Sequence, residues 1–176
     1  MMHKKDRFGY AERDSFTLLH LPYVGKNIAM MVLLPRFMDG LSSLEKQLTT
    51  KFLEELRKEM RPIKVNVSLP KFKIEYTKSL VGTLQDLGMR SAFEAADLGG
   101  MSCSQDLYVS DVFHKAVVEV NEEGSEAAAA TAVMVGLRCM PIREVVPDFV
   151  VDHPFLFAIV DMKSNATLFL GRISEL

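Results

Sequence analysis

The residues able to do acid–base, covalent or metal chemistry are few in this chain, and they do not converge. Four histidines occur: His3, His20, His114 and His153. None stands at metal-ligand spacing from another histidine, a cysteine or a carboxylate. Ser125 adjoins Glu126, but nothing nearby supplies the base that a serine nucleophile needs. The sequence holds no Gly-x-Ser-x-Gly elbow, phosphate-binding glycine loop or dinucleotide fingerprint. His114 falls on the apolar side of a strand-like run, the usual setting of a hydrogen-bonded core histidine. Cys103 reads as a small buried hydrophobe, and Cys139, beside Arg138, as a candidate accessible thiol. These residues give no positive support to an enzyme and imply neither a metal nor a cofactor.

The unusual chemistry lies instead in one stretch, Glu122 to Pro141, EEGSEAAAATAVMVGLRCMP. Between Glu126 and Arg138 it carries no charge. Ala127, Ala128, Ala129 and Ala130 favour helix, whereas Thr131, Val133 and Val135 favour strand. Two readings fit the local pattern. One is a short buried helix running into a strand; the other is a long loop that can become a strand.

The elements that must position this stretch follow from composition and period. The chain has 176 residues, 48% hydrophobic and 25% charged, with a net charge of −2. That is the composition of a globular chain with acids and bases interspersed, and it argues against nucleic acid or an anionic membrane as the main partner. The longest apolar runs, such as Ile28 to Leu34, are far short of the ~20 residues a membrane helix needs. The N-terminus lacks the apolar core of a signal peptide. Two cysteines so far apart make neither a disulfide framework nor a zinc site. Two glycosylation sequons, at Asn66 and Asn165, point to an extracellular setting.

Along the chain, Phe8 to Glu12 reads as a short edge strand, and Phe16 to Leu21 with Ile28 to Leu34 as a hairpin in the middle of a buried sheet. Leu41, Leu44 and Leu48 mark a first helix, with Ser42 and Glu45 at capping-box spacing. A second starts near Thr49 or Thr50 and places Phe52, Leu53, Leu56 and Met60 on one face. Its other face interleaves Lys51, Arg57 and Lys58 with Glu54, Glu55 and Glu59, which argues for a solvated surface and against a heparin-like polyanion. The apolar alternation changes parity across Leu69-Pro70-Lys71, so two strands meet there and serve different sheets. A short helix follows, ended by Gly88, then a loop with one helical turn from Met89 to Asp106. Leu107 to Val120 reads as one long strand, Val145 to Val151 as extended, and Pro154 to Val160 and Thr167 to Leu170 as the last two strands. Asp161 to Asn165 is the turn between those two, which places the Asn165 sequon in the open.

His114-Lys115-Ala116, followed by Glu119 to Thr131 (EVNEEGSEAAAAT), resembles the hinge signature of inhibitory serpins. Supporting matches run through the chain: Leu21-Pro22-Tyr23, Leu33-Leu34-Pro35, Leu69-Pro70-Lys71-Phe72, Leu87-Gly88, Ala96-Asp97-Leu98, His153-Pro154-Phe155-Leu156-Phe157 and Leu168-Phe169-Leu170-Gly171-Arg172. The resemblance covers the second half of a serpin. It implies an α+β fold of several sheets, present in part, with residues 1–176 as the C-terminal portion of one domain and a reactive loop at about 122–141.

The resemblance implies a serine protease inhibitor rather than an enzyme. A serine protease attacks the loop, forms an acyl-enzyme and is carried off as the cut loop enters a β-sheet. Glu122, Glu123, Gly124, Ser125, Glu126, Ala127, Ala128, Ala129 and Ala130 would be the hinge, with Gly124, Ser125 and Ala127 to Ala130 small enough to slip between strands. No proline interrupts Glu122 to Met140, so every backbone donor is available to a new ladder. A sixteen-residue insert would span on the order of 50 Å. With Glu122 as position one, the family's seventeenth position is Arg138, which makes Arg138–Cys139 the scissile bond and a trypsin-like protease the partner. A loop one residue different makes it Leu137, with a chymotrypsin-like target. His114 matches the family's sheet-opening histidine, and Lys71 with Glu122 a salt-bridging pair. The alternatives are a non-inhibitory serpin-fold binding or carrier protein and an inactive truncated fragment. The family also has cytosolic members, which stand against the extracellular setting that the sequons suggest.

Overall fold

A computed structural model describes residues 1–94, 96–101, 107–121 and 145–175. Among the described residues nine strands fall into two sheets. The larger contains β1 (Met2–Glu12), β2 (Phe16–Pro22), β3 (Ile28–Pro35), β4 (Arg61–Leu69), β7 (Asp148–Val150), β8 (Phe155–Asp161) and β9 (Thr167–Ile173). Its strand order is β7-β4-β1-β2-β3-β8-β9. Every neighbouring pair is antiparallel except β4 with β7, which run parallel.

The apolar run of β3 is buried from Ala29 to Pro35 because both faces of its sheet are covered. Odd positions Ala29, Met31 and Leu33 join Phe16, Leu18, Leu156, Ala158 and Val160 in one core layer. Helices α1 (Leu41–Gln47) and α2 (Thr50–Glu59) close that layer with Leu44 and Leu56. Each fully buried Leu or Phe there contributes about 1.5–3 kcal/mol of transfer free energy. On the opposite side, Phe72 lies 5.8 Å from Phe155 and 5.9 Å from Phe157, ring centre to ring centre. Gly171 stands opposite Phe157 in the β8–β9 register, and a Cβ on it would lie 2.6 Å from the Phe157 ring. A glycine is needed because the aromatic ring covers the backbone.

The second α-helix begins as its sequence implies: Thr49 caps it, with Oγ1 accepting from the Phe52 amide at 3.1 Å. The first does not use its capping box. Gly40 is the N-cap without a side-chain bond, and the Glu45 carboxylate instead accepts from Arg172 of β9 at 3.0 Å.

Two strand expectations are corrected. The run Phe8 to Glu12 is the end of an eleven-residue strand, β1, which lies inside the sheet between β4 and β2 rather than at its edge. The charged half, Lys4 to Arg7, hides this from a hydrophobic pattern. The run Leu107 to Val120 is strand only from Phe113. Before that point, Val109 donates its amide to Ala92 O and Val112 accepts from Leu80 N, so local loop contacts take the place of a ladder.

The chain divides into two units, 1–72 with 121–176, and 73–120. The second unit holds most of β5 (Phe72–Ser79), α3 (Val81–Asp86), α4 (Ser91–Glu94) and β6 (Phe113–Val120). Strands β5 and β6 form a two-stranded sheet, so β4 and β5 do serve different sheets, as the parity change at Pro70 implies. Gly88, at φ 98°, stands just past α3, a backbone conformation that glycine adopts without strain.

Candidate functional site

The candidate site is built on β6, because the sequence continues from this strand into the 122–144 segment. From Ala116 onward it alternates as a half-covered strand does: Ala116, Val118 and Val120 are half-buried, while Val117 and Glu119 are exposed. Its outward side is tied to β5 by charge. Lys115 Nζ lies 2.8 Å from Glu75 Oε2, and Lys73 Nζ lies 3.0 Å from Glu75 Oε1. Hydrogen bonds from Lys115 and Lys73 hold the Glu75 carboxyl below its usual range. At the base of the pair, the Ser79 hydroxyl donates to Asp111, and Leu80 N donates to Val112 O at 2.8 Å. In a two-stranded sheet each strand has only one paired edge, so among the described residues the far edge of β6 has no strand beside it. Such an edge presents backbone donors and acceptors to any strand that comes alongside.

His114, expected as a core histidine, is exposed on β6. The expectation fails because β6 belongs to a two-stranded sheet whose residues are at most half-covered. Lys71 is exposed just before β5, and the residue expected to pair with it, Glu122, lies outside the described residues. So do the rest of the hinge, Glu123 to Ala130, and the Arg138–Cys139 bond. The chain resumes at Val145 and enters β7 at Asp148, beside β4.

The two sequons stand in different places. Asn66 is within β4, and its side-chain amide donates to Asp148 Oδ1 at 2.7 Å. Asn165 is exposed in the β8–β9 turn at φ 61°. Its backbone and side-chain oxygens both accept from Arg57 Nη1, at 3.1 and 3.0 Å. Among the described residues no group of three His, Cys, Asp or Glu could hold a metal ion, and no helix is long and apolar enough to cross a membrane.

A family model described as Serpin (serine protease inhibitor) matches residues 1–176. The chain belongs to the serpin family. It is 45% identical to the leukocyte elastase inhibitor of Homo sapiens over 188 residues, covering 99% of this chain and 48% of that protein. Over 180 residues it is 44% identical to Iris of Ixodes ricinus, covering 100% of this chain and 48% of Iris. A crystal structure of uncleaved ovalbumin matches with a TM-score of 0.81 and 32% identity, over 99% of this chain and 47% of ovalbumin. The serpin chain described here therefore spans about half the length of the relatives it matches, and its α+β architecture is that of part of a serpin.

In the first unit, what an apolar pattern misses is a row of exposed charge on β1 and β4. The signal was available: His3, Lys5 and Arg7 alternate with period two, but the alternation is of charge rather than of apolar residues.

Proposed function

We propose that the intact protein inhibits a trypsin-like serine protease as a suicide substrate, with Arg138–Cys139 as the scissile bond. The observation that carries this reading is the junction at Val120. Among the described residues β6 has no strand at its far edge, and the sequence continues from it through Asn121 into Glu122 to Ala130, which is free of proline and holds Gly124, Ser125 and four alanines. A segment that folds back from the end of β6 meets that edge and can satisfy its backbone groups as a new strand. Arg138 would enter an acidic specificity pocket, and the serine would then attack its carbonyl. Insertion of the severed loop would remove the acyl-enzyme before water completes the hydrolysis. Here His114 is the residue at the start of the opening strand, and Lys71 would pair with Glu122 at its edge.

A second reading has its own support: the relatives named leukocyte elastase inhibitor favour a target that takes an uncharged residue. The cut would then fall after Leu137 and the target would be chymotrypsin-like or elastase-like. Extracellular placement now leans on Asn165 alone, since the amide of Asn66 is engaged within the sheet.

The test mixes the intact protein with a trypsin and, separately, with a chymotrypsin-type elastase. A denaturant-stable complex with trypsin, releasing a peptide that begins at Cys139, is expected. Complex formation only with the elastase would move the scissile bond to Leu137. Clean cleavage without any complex would leave a substrate or a non-inhibitory carrier.

A further inference from the structure

The β8–β9 turn meets the end of β2 at a methionine that the loop chemistry does not use. Met162 is exposed, and its Sδ lies 3.4 Å from Nε2 of the half-buried His20. The backbone on both sides fixes this contact. The Met162 amide donates to Asn27 O at 2.7 Å, and the Asp161 carboxylate accepts from the Lys163 amide at 3.0 Å and from the Ser164 hydroxyl at 2.7 Å. Gly9 faces His20 across the β1–β2 ladder, and a Cβ there would stand 3.0 Å from the His20 Cβ and 3.5 Å from its Nδ1. The ring therefore lies over bare backbone and leaves Nε2 for the turn. From the other side, β3 sets the fully buried Met31 opposite His20. The charged group that faces the ring is Arg57 of α2. Burial first, and then this charge, push the imidazole pKa down. Strong acceptors are short in this corner. The contact of His20 Nε2 is to a thioether sulfur, a weak acceptor. Arg57 donates through Nη1 to Asn165 of the same turn, while its buried Nε has no hydrogen-bond partner among the described residues.

We propose that Met162 is an oxidative modification site, at which a peroxide converts the thioether to a sulfoxide and His20 captures the new oxygen. A sulfur lone pair attacks one peroxide oxygen, and the S–O bond forms as the O–O bond breaks. Sulfur gives up two electrons, and the departing hydroxide takes the proton left on the transferred oxygen and leaves as water. The product is polar where the thioether was apolar, and reductases reverse it. Its oxygen supplies the acceptor that this corner lacks. A bond donated by a protonated ring is stronger than one donated by a neutral ring, so the sulfoxide draws a proton onto His20 and ties the β8–β9 turn to β2. Because the folded imidazole otherwise resists its proton, stability is lost on acidification; the captured oxygen raises the folded value toward the unfolded one and reduces that loss.

The test treats the intact protein with dilute hydrogen peroxide, maps sulfoxides by peptide mass spectrometry and follows the His20 ring in an NMR titration. The His20→Gln variant identifies the resonance. Sulfoxide is expected at Met162 and not at Met31. Oxidation should move the His20 titration to higher pH, by about a threefold gain in proton affinity or more. Treatment with the two stereospecific methionine sulfoxide reductases should return it. The Met162→Leu variant, given the same peroxide, should show no such movement although the exposed Met38 is still oxidised. Met162 left as thioether under conditions that oxidise Met38 would overturn the site. A Met162 sulfoxide with an unmoved His20 titration would overturn the capture. Equal movement in Met162→Leu would overturn it too, because another methionine would then be responsible. The reductase reversal needs no variant, so the proposal stays open to refutation even if Met162→Leu folds poorly.

Discussion

Gly171 and His20 show how single positions in the larger sheet are constrained. At Gly171 the Phe157 ring occupies the place of a Cβ, 2.6 Å from where it would stand. Gly171→Ala must push that ring, which is itself packed against Phe72. Overpacking of this kind costs about 1–3 kcal/mol, so the urea midpoint of the variant should fall without a change in slope. His20 is half-buried in β2, with Nε2 3.4 Å from Met162 Sδ. Burial, helped by the charge of Arg57, pushes its imidazole pKa down. The unfolded chain takes up the proton near pH 6.5, whereas the folded chain resists it until lower pH. Stability supplied by this group is therefore present above pH ~6.5 and is lost as pH falls through the lowered folded value. Denaturation at pH 7.5 and pH 5 should show a smaller loss on acidification in His20→Gln than in the natural sequence.

At the scale of elements, the two sheets differ in how much they bury. Strands β3 and β8 are covered on both faces, whereas in β5 and β6 no residue is fully buried. Two-stranded sheets are marginal by themselves. Hydrogen exchange on this chain should therefore be slowest in β3 and β8 and fastest in β5 and β6. Equal protection in both sheets would show that β6 has a further partner. This contrast also explains which elements were legible in the sequence. The β2–β3 hairpin and β8 carry unbroken apolar runs, and Thr49 and Gly88 are helix signals that act locally. Strand β1 was half-hidden because Lys4 to Arg7 sit in an interior strand on the strength of backbone pairing rather than burial. The capping box at Ser42 failed because Arg172, distant in sequence, takes Glu45. As for the site, the expected hinge and scissile bond lie outside the described residues. The exposure of His114 was not legible, because it depends on how many strands stand beside β6. The cationic face of β1 and β4 needs the register of two strands that are remote in sequence.

At the scale of the whole molecule, the proposed trapping by insertion makes one clear demand: residues 122–130, the proposed hinge, would have to become a strand. Proline at an alternate hinge position removes a ladder donor and stiffens the backbone, without touching the scissile bond. The most direct measurement compares the intact protein with its Ala128→Pro variant, each mixed with trypsin, and counts the fraction that becomes a denaturant-stable complex against the fraction released as cleaved protein. Trapping by insertion predicts unchanged cleavage after Arg138, with the variant released almost entirely as cut, uncomplexed chain. Complex formation by the proline variant equal to that of the natural sequence would contradict it.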